Sequence, residues 1–227
     1  MSLILNIDTA ITTASISIAK DGNILAEAFN TEQKDQGAFI QPAVQSIAKN
    51  IGISLTELSA IAIVAGPGSY TGLRVGMASA KGLCYALGKP LITIGTLNLL
   101  TYQAINQAGI QQNDMPTLFC PMVDARRMEV FTAVYDKDLN TILPPCALII
   151  GENSFANLLL NNEIIFFGDG AAKLQQAGSL NNARFFKVKS KTLYMNELSF
   201  KKYTNTEFSN LAYTEPTYIK EFYGGTI

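Results

Sequence analysis

Histidine is absent from all 227 residues. That removes Ser-His-Asp and Cys-His nucleophilic systems as they are usually built, and His-liganded zinc or iron sites with them. Chemistry here has to run on carboxylates, lysines, hydroxyls, backbone amides or a borrowed metal. Cysteine is scarce. Cys84, Cys120 and Cys146 are odd in number and lack metal-ligand spacing, which fits buried thiols in a reducing compartment. Charge is thin as well: 17 Lys and Arg against 18 Asp and Glu leave a formal net charge of −1, too little to gather nucleic acid unaided. No run reaches the roughly 18–20 apolar residues of a membrane span. The opening MSLILNIDTA carries no basic leader, so the expectation is a cytoplasmic chain without membrane contact.

What the chain does have is apolar residues, 48% of the total, enough for one large domain or two small lobes. LILNID (3–8), ASISIA (14–19) and NILAEAF (23–29) read as an antiparallel meander, with KDG as a turn. Ile40, Val44, Ile47 and Ile51 recur at helical spacing and predict a helix over 36–51, ended by Gly52. AIAIVAG (60–66), a helix over 70–87 and PLITIG (90–95) form a strand–helix–strand crossover. A polar helix over 96–112 leads away and the pattern restarts. Strands are expected at 117–124, 128–136, 146–150, 163–170 and 184–189, with helices at 151–160, after 170, and at 193–207. The prediction is an α/β chain of two similar units with mixed sheets, an N-terminal lobe 1–100 and a C-terminal lobe 101–227.

The stretch AGPGSYTGLRVG (65–76) is dense in glycine at a strand-to-helix junction. A P-loop needs Lys after its last glycine, whereas Gly72 is followed by Leu73 and Arg74. The dinucleotide fingerprint is missed by one position, at Thr71. The plainer reading is a tight turn with Ser69 or Thr71 as N-cap, although free amides at such a turn can bind an anion. Within the helix, Gly72, Gly76 and Gly82 each cost about 1 kcal/mol relative to Ala, and Ala78, Ser79, Ala80 and Ala86 add small side chains. Small residues four apart let another backbone come close. That neighbour is either the chain's own sheet or a helix of another subunit, with Ile40, Val44 and Ile47 contributing from the first helix, and both readings stay open.

Three further groups carry candidate chemistry. Asp8 ends the first strand ahead of Thr9, Thr12 and Thr13, an arrangement able to hold magnesium and phosphate, or simply to cap a turn. FGDGA (167–171), with Asp169 and Gly170, is its counterpart in the second lobe, and the two loops are expected to face a cleft. DARRMEVF (124–131) sets Arg126 and Arg127 in a hairpin turn, where they meet a phosphate or a partner carboxylate, or are merely solvated. Lys187, Lys189, Lys191, Lys201 and Lys202 make the far lobe locally basic, usually the mark of a solvated face.

Taken in order, LILNIDTA, VAGPGSYTGLRVGMASAKGLCYALGKPLITIGTL, DARRMEVF, FGDGA and EPTYIK resemble the bacterial TsaB (YeaZ) family across nearly the whole chain. The resemblance implies a two-lobe fold of the actin, sugar kinase and Hsp70 ATPase class, related to ribonuclease H. It implies a non-catalytic subunit that supports threonylcarbamoyl transfer to the adenosine beside the anticodon of tRNAs reading codons that start with A. The implied partners are a catalytic TsaD-like paralogue and a TsaE-like ATPase, with a homodimer when the chain is alone and tRNA met only through the complex. ATP is used by the complex. The chain has no cofactor or metal of its own, and Asp8, Thr9, Gly68, Asp169 and Gly170 are at most a weak nucleotide site. The partner surface implied is the first two helices, through Ile40, Val44, Ile47, Gly72, Val75, Gly76 and Ser79. One departure stands out: Gln36 and Gly37 occupy the place of the family's frequent His-Ser pair. Two rival functions are weighed beside this one. A small-metabolite kinase or ATPase of the same fold would use Asp8 and Asp169. A two-metal nuclease would need more carboxylates than Asp8 on its first strands.

Overall fold

The computed structural model describes residues 1–11, 13–30, 36–108, 115–178, 180–189 and 192–220. The expectations for Thr12, Lys191 and the helix end at 109–112 lie outside them. The chain forms two compact units, Met1–Leu99 with Lys191–Thr217, and Leu100–Ser190 with Tyr218–Ile227.

In the first unit, β1 (Leu3–Asp8), β2 (Ala14–Lys20) and β3 (Asn23–Asn30) make the meander. Asp21 and Gly22 both have positive φ, 49° and 83°, as a two-residue hairpin turn between twisted strands requires. Helix α1 (Gln36–Asn50) leads to β4 (Ala60–Gly66), α2 (Tyr70–Leu87) and β5 (Leu91–Gly95). The sheet order is β3-β2-β1-β4-β5. β1 is antiparallel to β2 and parallel to β4, and β5 is parallel to β4. Strand alternation sends Leu5, Ile7, Ile16, Ile18, Ile61 and Ile63 to one face, where they pack against Ile40, Val44 and Ile47 of α1 and Met77, Ala80 and Cys84 of α2. The opposite face carries Asn6 and Ser17 in register.

That second face is covered by α6 (Thr192–Thr204), which touches β1, β2, β3 and β5. The expected C-terminal lobe 101–227 is therefore interrupted: 191–217 packs with the first unit. Its anchors are polar. Ser17 Oγ donates to Asn196 Oδ1 (2.8 Å), and Thr192 Oγ1 donates to Glu27 Oε2. Beyond α6, Thr217 N–H donates to Ala65 O at the end of β4 (2.7 Å).

Helix α3 (Thr96–Gln107) carries the chain across the unit boundary at Leu99. The second unit repeats the first. β6 (Thr117–Asp124), β7 (Glu129–Tyr135) and β8 (Thr141–Ile149) form a meander, followed by α4 (Ala156–Leu159), β9 (Glu163–Phe167), α5 (Ala171–Ala177) and β10 (Ala183–Phe185). Its order, β8-β7-β6-β9-β10, has the same pairing senses as the first sheet. Two mixed sheets with one shared strand order are the duplicated α/β fold expected from the sequence. Among the described residues no helix is long and apolar enough to cross a membrane.

Candidate functional site

The glycine-rich turn between β4 and α2 is built around the chain's own β1–β2 loop. Ser69 N–H donates to Ala10 O (2.8 Å), and Thr9 Oγ1 donates to Gly72 O (2.7 Å). Ser69 is the N-cap, its Oγ accepting from Gly72 N–H (3.3 Å). A Cβ on Gly68 would fall closer than 3.0 Å to Ala10 O, and one on Gly72 would do the same to Thr9 O. Gly66, at φ 113°, is the position where only glycine is at ease. Two amides of the turn are thus spent within the chain, Ser69 N–H on Ala10 O and Gly72 N–H on Ser69 Oγ.

Asp8 ends β1 and is buried. Its Oδ1 accepts from Ala10 N–H (3.0 Å), but burial dominates and pushes its pKa up to about 6. The counterpart carboxylate ending β6 behaves oppositely. Burial pushes Asp124 up, but Lys173 (Nζ–Oδ1 2.9 Å) and the Arg126 amide (2.6 Å) hold its pKa below the ordinary range. Asp169 lies beside it, its Oδ1 accepting from Asp124 N–H (2.9 Å). The β9–α5 turn also rests on the first strand of its unit. Gly170 N–H donates to Met122 O (3.0 Å), and Gly168, at φ 99°, lies against the same carbonyl. Gly68 of the β4–α2 turn and Asp169 and Gly170 of the β9–α5 turn thus occupy equivalent turns, one in each unit, whereas Asp8 and Thr9 follow β1. The expected pairing of the Asp169 loop with the Asp8 loop is corrected, because β9 corresponds to β4 and β1 to β6. Among the described residues no three His, Cys, Asp or Glu side chains gather into a metal site.

The residues assigned to a partner surface divide sharply. Ile40, Val44, Ile47, Gly72 and Gly76 are buried in the first unit's own core. A Cβ on Gly76 would run into Thr9 Oγ1 and come within 3.0 Å of Ile63 Cδ1. The expected helix crossing with another subunit at Gly72 and Gly76 is corrected accordingly: the close neighbour is the β1–β2 loop and the sheet below. An amphipathic helix spends its apolar stripe on its own sheet first. Val75 and Ser79 alone of the seven are half-buried. The outward face of α2 is instead Ala78, Gly82, Tyr85 and Ala86, with Tyr85 84% exposed. On α1, Ala38, Gln41, Pro42 and Gln45 point out. The two helices meet near their starts, Gln36 Oε1 against Gly72 and Gly37 against Val75. Sequence reasoning missed Ala10 and noted Gln36 only as a departure from the family, because their contacts are with residues some sixty and thirty-six positions away. It had a signal for the outer face, the four-residue spacing of Ala78, Gly82 and Ala86.

Comparison with known proteins agrees with the fold. The family described as TsaD, tRNA N6-adenosine threonylcarbamoyltransferase, matches residues 24–214. The tRNA threonylcarbamoyladenosine biosynthesis protein TsaB of Escherichia coli is 36% identical over 139 residues, and that of Bacillus subtilis 33% over 132. These matches take in 61% and 58% of the chain, which spans 57% and 54% of the two relatives' length. The Haemophilus influenzae TsaB is 27% identical over 231 residues, 96% of this chain and 93% of that protein. YeaZ from Pseudomonas aeruginosa superposes with a TM-score of 0.76 at 19% identity, over 96% of this chain and all of that one, and shares the fold.

Proposed function

Since this chain belongs to the TsaD family of tRNA N6-adenosine threonylcarbamoyltransferases and its curated relatives are TsaB proteins, we propose that it is a non-catalytic subunit for that tRNA modification. It holds a catalytic paralogue of the same family in working form, for threonylcarbamoyl transfer to the adenosine beside the anticodon. A TsaE-like ATPase joins the assembly and uses the ATP. The chain alone pairs with a second copy, and it meets tRNA only within the complex. The observation that carries this reading is the β4–α2 turn, where the Ser69 and Gly72 amides are taken by Ala10 O and Ser69 Oγ. The fold is kept while the phosphate cradle is filled from within.

The surface offered to the paralogue is the outer side of α1 and α2, with Val75, Ala78, Ser79, Gly82 and Tyr85. Small side chains there let a second helix pair approach to about 8–10 Å between axes. Co-expression with the paralogue tests the assignment. The wild type forms a complex that transfers threonylcarbamoyl groups, while the chain alone neither transfers them nor turns over ATP. Ala78→Trp weakens the complex about five- to 150-fold, an overpacking cost of about 1–3 kcal/mol, with an unchanged urea midpoint for the chain alone. Normal assembly of that variant removes the surface from the proposal. Steady ATP turnover by the chain alone, abolished by Asp8→Ala, overturns it in favour of a small-metabolite kinase.

A further inference from the structure

The β6–β7 turn holds a set of charges that this function does not use. Three carboxylates lie at or near it, and each is already engaged. Asp124 pairs with Lys173 (2.9 Å) and accepts from the Arg126 amide, Glu129 pairs with Lys220 (2.5 Å), and Asp169 accepts from the Asp124 amide. Lys173 is fixed further by donating to Glu129 O (2.9 Å). The lysines of the cluster are thus consumed by its acids. The guanidinium groups of Arg126 and Arg127 have no partner among the described residues, and both side chains are exposed. Both residues also have positive φ, 67° and 47°, in a region that side chains of this kind rarely adopt.

We propose that the β6–β7 turn is a phosphate-docking tip, presenting Arg126 and Arg127 to the backbone of the RNA substrate. This inference rests on the tRNA-modifying role proposed above. Arginine is the better residue for the task, because its planar fork matches a phosphate bidentately. Neighbours in one exposed turn, each fork can take a phosphate of the same backbone. A protein carboxylate is the weaker candidate. Protein interfaces draw their strength from a desolvated apolar centre, and beside its arginines the turn offers Met128, 43% exposed, with Ile149 of the edge strand opposite Glu129, too small a patch to form one. Phosphate contacts need no such centre, since counterion release supplies the driving force. The low net charge of the whole chain fits an auxiliary grip rather than a stand-alone RNA-binding surface.

Salt dependence is the decisive readout. In the assembled complex, Arg126→Ala with Arg127→Ala lowers the slope of log K for tRNA against log salt by about 2 units, one per lost phosphate contact. The double lysine variant keeps the slope and loses part of the affinity. An unchanged slope in a normally assembled alanine variant overturns the proposal and leaves the arginines as solvated charges. Loss of assembly with the paralogue also overturns it, and assigns the pair to a protein carboxylate. A second measurement does not depend on the complex. At low salt, where phosphate contacts too weak to hold tRNA on the chain at ordinary salt become measurable, tRNA titrated into the chain alone shifts the Nε–Hε resonances of Arg126 and Arg127 before those of Arg74 and Arg184. Shifts elsewhere but not at these two refute the docking tip, whereas failure of the chain to join the paralogue refutes the proposed function and leaves this titration standing.

Discussion

The two units share one strand order but differ greatly in the helices laid on it. In the first, the helices that follow the third and fourth strands have 15 and 18 residues; in the second their counterparts have 4 and 7. The second sheet closes its core with aromatic rings instead, Phe166 lying 5.3 Å from Phe155 and 5.6 Å from Phe185 between centroids. Short helices therefore suffice to cover such a sheet. At about 1.5 Å per residue, α2 runs roughly 27 Å, and its outward face is surface that the core does not require. The sheet layer specifies the fold in both units, and the long helices of the first unit give it something further to present. The turns show the opposite pattern: both glycine-bearing turns rest on backbone carbonyls of the first strand or the loop just after it, so that device is common to the two units.

The largest expected effect tests what the units have in common. Gly72→Ala and Gly168→Ala each drive a methyl into a backbone carbonyl, which cannot swing aside as a side chain can. Each variant should lose about 3 kcal/mol in urea unfolding, with Gly168 burdened further by its φ of 99°. A loss below about 1 kcal/mol in either would show that its turn yields easily, and the parallel would fail.

Next comes a contrast between the two strand-end carboxylates. Asp8 has a folded pKa raised from 3.8 to about 6, so the folded state holds its proton more tightly than the unfolded chain does. Stability from this group is present at low pH and is lost as pH rises from about 4 to about 6, by about 3 kcal/mol in all. Asp8→Asn should recover most of that at pH 7.5 and little at pH 4. Asp124, held low, works the other way: its stabilisation is present above the unfolded pKa and lost as pH falls. Because its side chain is 42% exposed, Asp124→Asn should cost less than about 1 kcal/mol at neutral pH. Urea midpoints across pH 4–8 read both, and equal responses would mean that the two strand ends are alike after all.

The smallest effect separates the two faces of α2. A Cβ on Gly82 meets nothing within 4 Å. Gly82→Ala should therefore stabilise the isolated chain by about 1 kcal/mol through helix propensity alone, ten residues along from a glycine where the same change is ruinous. A loss instead would show that the outer face is already filled.

Much of this architecture was legible in the residues. AIAIVAG is buried at every position of β4, and the alternation of ASISIA marks a strand with two distinct faces. The strand β8 begins at Thr141 rather than at Cys146, because Pro144 and Pro145 argue against a strand and an edge position tolerates them. The expected helix at 151–160 shrinks to Ala156–Leu159, after Phe155 at φ 65°. The Ser69 cap could be read from local chemistry. The burial of Gly72 and Gly76 could not, since Thr9 and Ala10 lie some sixty residues earlier in the chain. Nor could the return of α6 to the first sheet, which hangs on Ser17 and Glu27, 179 and 165 positions from their partners.

That return sets an order of assembly. On a ribosome adding about 5–20 residues per second, the first sheet is complete at Gly95 but waits about a hundred residues, roughly 5–20 s, for α6 to emerge. Through that interval one side of the sheet faces the crowded surroundings of a growing chain. Asn6 and Ser17 on that side are content in water until Asn196 arrives. A leucine pair in their place would pack well at the end and invite aggregation at the start. The polar seam beneath α6 lets an unfinished protein wait safely.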